Sequence, residues 1–331
     1  MKAIVHKGTA GFQGVSYTDI EASSVSDGKV KVSLKSAGLN HRDLFVLTRH
    51  KEDEPGLIIG SDGAGVITEI GQDVEGLTVG DEVVIIPSLG WKDKTPAPPE
   101  HFEILGLPDH GTFAEEIVID AGQIARKPGY LTWEEAGVLP LGALTAYRAL
   151  FTRGQLKVGQ TVFIPGAGSG VATYLIQMAK ASDAKVIVSS RSEEKRQKAL
   201  EVGADLAIDS NEDWASELKG EMVDLVIESV GAATLRKSFH VLKQGGTLVL
   251  FGASAGDEVT MNLRDFFYGQ YSFLGSTMGS IQEFHEMISL IEKHQIKPVV
   301  DSVYPLEEAL AAMKRLEDGE QFGKIALKVT D

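Results

Sequence analysis

The feature that most constrains this chain is an apolar strand, a glycine-rich turn and a helical stretch in immediate succession. "VFIPGAGSGVATYLIQMAKA" runs from Val162 to Ala181. Further strand-like and helix-like segments alternate after it: "AKVIVSS", a helix from Ser192 to Val202, "ADLAIDS", "DLVIESVG", "GGTLVLFG" and "YSFLGST". The strands read as continuous apolar runs, as they do when both faces of a sheet are covered. This order predicts an α/β fold with a doubly wound parallel sheet. Gly166, Gly168 and Gly170 let the backbone turn tightly at the helix start, where free N–H groups face an anion. Ala172 keeps the helix close to the strand. A dinucleotide is the expected ligand.

The strand end that follows discriminates between the two nicotinamide dinucleotides. An NAD-preferring member of this fold places Asp or Glu there, on the ribose 2′-hydroxyl. This chain has Ser189, Ser190, Arg191 and Ser192, with Lys195 one turn on. Hydroxyls and two cations suit a 2′-phosphate, so NADPH is expected. The competing reading makes Arg191 and Lys195 solvated residues paired with Glu193 or Glu194.

The N-terminal part has a different grammar. "KAIVH", "KVKVSLKSAG", "AGVITEIG" and "DEVVIIP" are short strands between glycine turns, and Trp91 to His110 is rich in proline and charge. The pattern changes near Ile124, and the last fifty residues add two helices and a strand, "GKIALKV". Three segments follow: residues 1–125 as a β-rich domain, 126–279 as the cofactor domain, and 280–331 returning to the first. The net charge of −15 argues against nucleic acid. No apolar run has the length of a membrane span and the N-terminus lacks a secretory h-region, so a cytoplasmic location is expected. The chain has no cysteine, which excludes disulfides and every thiolate metal site.

Two further stretches, "SAGLNHRDL" (Ser36 to Leu44) and "GLIIGSDGAGVITEIGQDVEGLTVGDEVV" (Gly56 to Val84), join the glycine-rich segment in a pattern. Together they resemble the medium-chain dehydrogenase/reductase superfamily. That superfamily contains zinc alcohol dehydrogenases and zinc-free quinone oxidoreductases. The resemblance implies a GroES-like catalytic domain beside a Rossmann cofactor domain. It implies cofactor contacts at Thr145 in "LTAYRAL", at Gly168, Ser169, Gly170 and Val171, and at Ser190, Arg191 and Lys195. It adds Val230 and Gly231 in "ESVGAATL", Phe251, Gly252 and Ala253 in "LVLFGASAG", and Lys324 in "FGKIALKV". In zinc members a cysteine, a histidine followed by glutamate, and a second cysteine surround the metal. The matching positions here are Asn40, Ser61 with Asp62, and Leu141, an amide, a hydroxyl with a carboxylate, and an alkyl group. No catalytic metal is therefore expected. His41, Asp43, Asp62, His101 and His110 are the remaining candidates for a different site, and none has metal-motif spacing.

Without zinc, a substrate must delocalise the charge that hydride addition creates. Quinones and α,β-unsaturated carbonyls do so, and one hydrogen-bond donor to the carbonyl then suffices. Asn40 and His41 are the candidate catalytic groups, with water as the proton source. Asp43 is expected to anchor their loop. The alternatives are a 2-enoyl thioester reductase, an alcohol dehydrogenase-like enzyme with an unusual metal, and a non-catalytic NADPH-binding protein. The resemblance further implies a homodimer through the edge strand "YSFLGST".

Overall fold

The computed structural model describes residues 1–330. It comprises two compact units, one formed by Met1–Gly142 with the stretch from Gly279 onward, the other by Ala143–Met278. No helix among the described residues is long and apolar enough to cross a membrane.

The second unit is the expected doubly wound sheet. Its six strands lie in the order Leu206–Asp209, Lys185–Ser190, Thr161–Pro165, Val223–Glu228, Leu242–Leu250, Ser272–Gly275, and every neighbouring pair is parallel. Strand Thr161–Pro165 is buried along its whole length and Lys185–Ser190 along all but its first residue. Apolar residues therefore succeed one another without alternation. Phe163, Ile187, Val226, Leu248 and Trp214 form one continuous core. The strand order reverses between Thr161–Pro165 and Val223–Glu228, which is where such sheets open a crevice for a ligand.

The first unit holds the GroES-like β-structure. Strand Lys29–Gly38 is its axis, because Val30, Val32 and Leu34 alternate inward beside polar neighbours. It pairs antiparallel with Asp62–Ile70, Glu116–Asp120 and Lys324–Lys328. The C-terminal strand thus returns to this unit and lays Ala326 opposite Gly38. The short helix Trp133–Gly137 also belongs here, and the unit continues through Gly142 rather than ending at the expected 125/126 boundary. Close backbone approach explains this. A side chain on Gly38 would meet Gly137 O at 2.7 Å, and one on Gly137 would meet Ser36 Oγ at 2.5 Å.

A strand pair, an aromatic contact and an ion pair hold the Trp91–His110 lobe. Ser88–Leu89 pairs with Glu103–Ile104, and fully buried Trp91 meets Phe102 edge-on at 5.2 Å. Lys94 bonds Glu286 at 2.8 Å on the helix Ile281–His294.

A histidine pair in the same unit was not expected from sequence. His6 Nδ1 and His50 Nδ1 are 2.8 Å apart in a buried contact. Each Nε2 faces a carbonyl at 2.9 Å, Thr9 O for His6 and Pro55 O for His50. Carbonyls only accept, so a ring nitrogen that faces one donates its proton to it. Burial foremost, and the neighbouring His50, push the His6 pKa below the ordinary value. A depressed histidine pKa means that the unfolded chain binds the proton first. Its contribution is full above the ordinary value of about 6.5 and lost as pH falls through the folded value. Urea midpoints taken from about pH 7.5 to about pH 5 are expected to fall more steeply for the native protein than for His6→Gln. Parallel slopes would contradict this.

Candidate functional site

The cofactor positions gather at the carboxyl ends of the parallel strands. Ser169 caps the helix Gly170–Ala181, its hydroxyl accepting from Ala172 N at 3.1 Å. Gly166 has φ +79° and turns its open side to Val230 Cγ2, 3.0 Å from where a Cβ would stand. That contact spans the reversal point of the sheet. Gly166 N and Ala167 N both donate to Ser189 O, which fixes the loop on the neighbouring strand. The N–H groups of Gly170 and Val171 open the helix and that of Gly168 lies in the turn just before it, as an anion site requires.

Lys195 lies over this loop. A Cβ on Gly168 would meet Lys195 Cδ at 2.6 Å and Nζ at 3.2 Å, so a larger residue there would push the lysine side chain aside. Lys195 N is held by Ser192 Oγ at 3.3 Å, and Ser192 N by Ser190 Oγ at 3.2 Å. Arg191 is exposed and makes no ion pair among the described residues, whereas Glu193 engages Arg196 and Glu194 engages Lys198. Glu193, the acid nearest Arg191 in sequence, therefore holds another cation.

Phe251, Gly252 and Ala253 follow the adjacent strand. Phe251 N donates to Glu228 O at 3.0 Å, and a Cβ on Gly231 would meet Ala253 Cα at 2.8 Å. The Val230 turn and the Phe251–Ala253 stretch are thus in contact. Sequence reasoning missed what holds that turn. Glu228 is fully buried and accepts from Val230 N at 2.7 Å, Gly231 N at 3.3 Å, Thr234 Oγ1 at 3.0 Å and Ser238 Oγ at 2.8 Å. An acid at a strand end, with hydroxyls six and ten residues on, was the available signal. Thr145 is buried in the helix Pro140–Tyr147. The glycine cradle, the open helix N–H groups and the paired strand ends fit a dinucleotide.

In the first unit, the positions carried over from the zinc site converge. Lys324 Nζ donates to Asn40 Oδ1 at 2.6 Å, Leu39 O at 2.7 Å and Asp62 Oδ2 at 3.0 Å. Asn40 Nδ2 donates to Asp62 Oδ2 at 2.9 Å, and Leu141 N donates to Asp62 Oδ1 at 2.6 Å. Lys324 is 4% exposed and Asp62 fully buried. Burial pushes the Asp62 pKa up, against the pull of Lys324, Asn40 and Leu141 N. The residues do not fit zinc. An ammonium fills the centre of the cluster, and no group of three His, Cys, Asp or Glu among the described residues is placed to hold a metal. Lys324, expected near the cofactor, spends all three N–H groups within this unit.

Asn40 precedes the helix His41–Arg49, which sequence periodicity did not reveal. Asp43 accepts from Asn40 N at 2.8 Å, the loop anchor anticipated from sequence. Its other oxygen is buried without a partner, and burial pushes the carboxyl up to about 6 despite nearby Arg42. Arg42 Nη1 donates to Leu105 O at 2.8 Å and to Ser61 Oγ at 2.5 Å, and Ser61 is the position matched to the histidine of zinc members. His41 keeps an exposed edge, and partial burial of its ring lowers its pKa, which favours the neutral form at neutral pH.

Comparison with known proteins agrees with this geometry. The alcohol dehydrogenase GroES-like domain family matches residues 26–129 and the zinc-binding dehydrogenase family matches residues 170–293. A zinc-type alcohol dehydrogenase-like protein of Schizosaccharomyces pombe is 34% identical over 99% of both chains. A crotonyl-CoA carboxylase/reductase of Cereibacter sphaeroides is 28% identical over 90% of this chain and 79% of its own. A crystal structure of an NAD-dependent alcohol dehydrogenase superposes with a TM-score of 0.93 at 34% identity, covering all of both chains. The chain belongs to the medium-chain dehydrogenase/reductase superfamily and is a nicotinamide-dependent oxidoreductase of that type.

Proposed function

We propose that the protein is an NADPH-dependent, zinc-independent reductase of quinones or α,β-unsaturated carbonyls. The observation that carries this reading is the Lys324–Asp62–Asn40 cluster at the positions matching the zinc ligands of the superfamily. No Lewis acid polarises the carbonyl there, so the substrate has to spread the developing charge over a conjugated system. When bound, the dihydronicotinamide supplies the hydride.

The protein's part is binding, orientation and one or two hydrogen bonds. Gly168, Ser169, Gly170 and Val171 hold the pyrophosphate. Ser190, Arg191 and Lys195 hold the 2′-phosphate. Val230 borders the adenine ribose, while Thr145 and the backbone of Phe251, Gly252 and Ala253 hold the nicotinamide end. Asn40 donates to the oxygen that becomes an enolate. His41, neutral, is a second donor, directly or through water. Water supplies the final proton. A homodimer is part of the same reading, resting on the edge position of Ser272–Gly275 and on exposed Phe273, Phe267 and Tyr268. Sedimentation equilibrium showing only monomer would remove it.

A second reading, reduction of a 2-enoyl thioester, is favoured by the relative named crotonyl-CoA carboxylase/reductase. A substrate panel separates the readings. Metal-stripped protein is given NADPH with 9,10-phenanthrenequinone, a simple enone, crotonyl-CoA and an aliphatic ketone. Turnover of the first two, unchanged by chelator, is expected. Preference for crotonyl-CoA would select the second reading, and chelator-sensitive ketone reduction would refute both.

A further inference from the structure

Resting on the enone-reductase reading, we infer that Lys324 is a positioning residue that fixes Asn40 as a one-directional, polarised hydrogen-bond donor. An ammonium has three N–H groups, and Lys324 places all of them on Leu39 O, Asn40 Oδ1 and Asp62 Oδ2. Its charge is matched by Asp62 at 3.0 Å, so the cluster presents no free cation to a ligand.

The orientation of the Asn40 amide follows from its neighbours. Its oxygen faces the ammonium at 2.6 Å and its nitrogen faces the carboxylate at 2.9 Å. A flip would set an NH2 group against an ammonium and an oxygen against a carboxylate, both repulsive. One Nδ2–H goes to Asp62, and the other is the donor left over. Asn40 is 6% exposed, so little water competes for that proton.

A charge-assisted bond to an amide oxygen draws electron density from the nitrogen and strengthens the N–H as a donor. Lys324 thereby acts at the substrate through Asn40. The first-unit strand pairing makes this possible, because Leu39 N donates to Ile325 O at 3.0 Å and sets Lys324 beside Asn40. The cation that a metal provides elsewhere in the superfamily is here a side chain one amide removed from the substrate.

The test combines kinetics with an amide resonance. Removing a donor of this kind costs about 10²–10³ in kcat, and weakening it costs less, on the order of tenfold to a hundredfold. Lys324→Met with Asp62→Asn keeps the cluster uncharged and is the variant chosen to stay folded. Its single-turnover hydride-transfer rate with an enone is expected to drop in that range, with NADPH affinity within about twofold. In an Asn40→Ala background the same pair of substitutions is expected to add nothing, because the effect runs through Asn40. An equal loss in both backgrounds, or no loss in either, would overturn the inference.

The Asn40 side-chain ¹⁵N resonance reads the polarisation without any turnover. It is expected upfield in the Lys324→Met/Asp62→Asn variant relative to the native protein. An unchanged resonance would overturn the inference. If the native protein reduces no enone, the proposed function fails, and this resonance still decides whether Lys324 polarises Asn40.

Discussion

Replacing Asp62 by alanine is expected to destabilise the protein by about 3–5 kcal/mol, the cost of leaving a buried charge without its partner. Lys324 would remain 4% exposed with its ammonium facing an empty carboxylate position. Leu141 N and one Asn40 N–H would lose their acceptor as well. The buried carboxylate itself is costly, as the upward push on its pKa shows, so the pair contributes less than this loss. Asp62→Asn with Lys324→Met removes both charges together and is expected to lie within about 2 kcal/mol of the native protein. Urea unfolding of the two variants checks the difference. An Asp62→Ala loss below about 1 kcal/mol would mean that the cluster does not hold the native state as described.

The second large effect concerns the cofactor. Arg191→Ala and Lys195→Ala are each expected to weaken NADPH binding by about tenfold to a hundredfold, since a charge-assisted bond contributes about 1.5–3 kcal/mol. NADH affinity is expected to change by no more than about twofold, because NADH has no 2′-phosphate. Exposed Arg191 and the Lys195 side chain over Gly168 are the motivating observations. Fluorescence titration with both dinucleotides measures the ratio. An unchanged NADPH/NADH preference in the double variant would place the 2′-phosphate elsewhere, or leave it without a site.

The parts of this account that were legible in sequence are those written in local grammar. "VFIPGAGSG" states its own structure, because a buried strand, a positive-φ glycine and a serine N-cap follow one another within a few residues. The replacement of the zinc ligands was equally readable, since it needs only Asn40, Ser61 and Leu141. What fills that space was not. Lys324 lies 284 residues from Asn40, and only the pairing of the C-terminal strand with Lys29–Gly38 brings them together. The resemblance suggested a cofactor contact for this lysine, whereas its hydrogen bonds turn inward. The helix His41–Arg49 escaped periodicity, although Asn40 and Asp43 have the spacing of an N-cap and its N3 acid. His6 and His50 gave no signal, since a buried imidazole pair has no sequence motif.

The most direct test of the central claim follows the hydride. Metal-stripped protein is incubated with NADPH carrying deuterium at the transferable position and with an enone, and the product is read by NMR. Hydride delivery to a conjugated system without a Lewis acid predicts deuterium on the β-carbon of a saturated ketone. Deuterium on a carbinol carbon, appearing only when zinc is added back, would contradict the account.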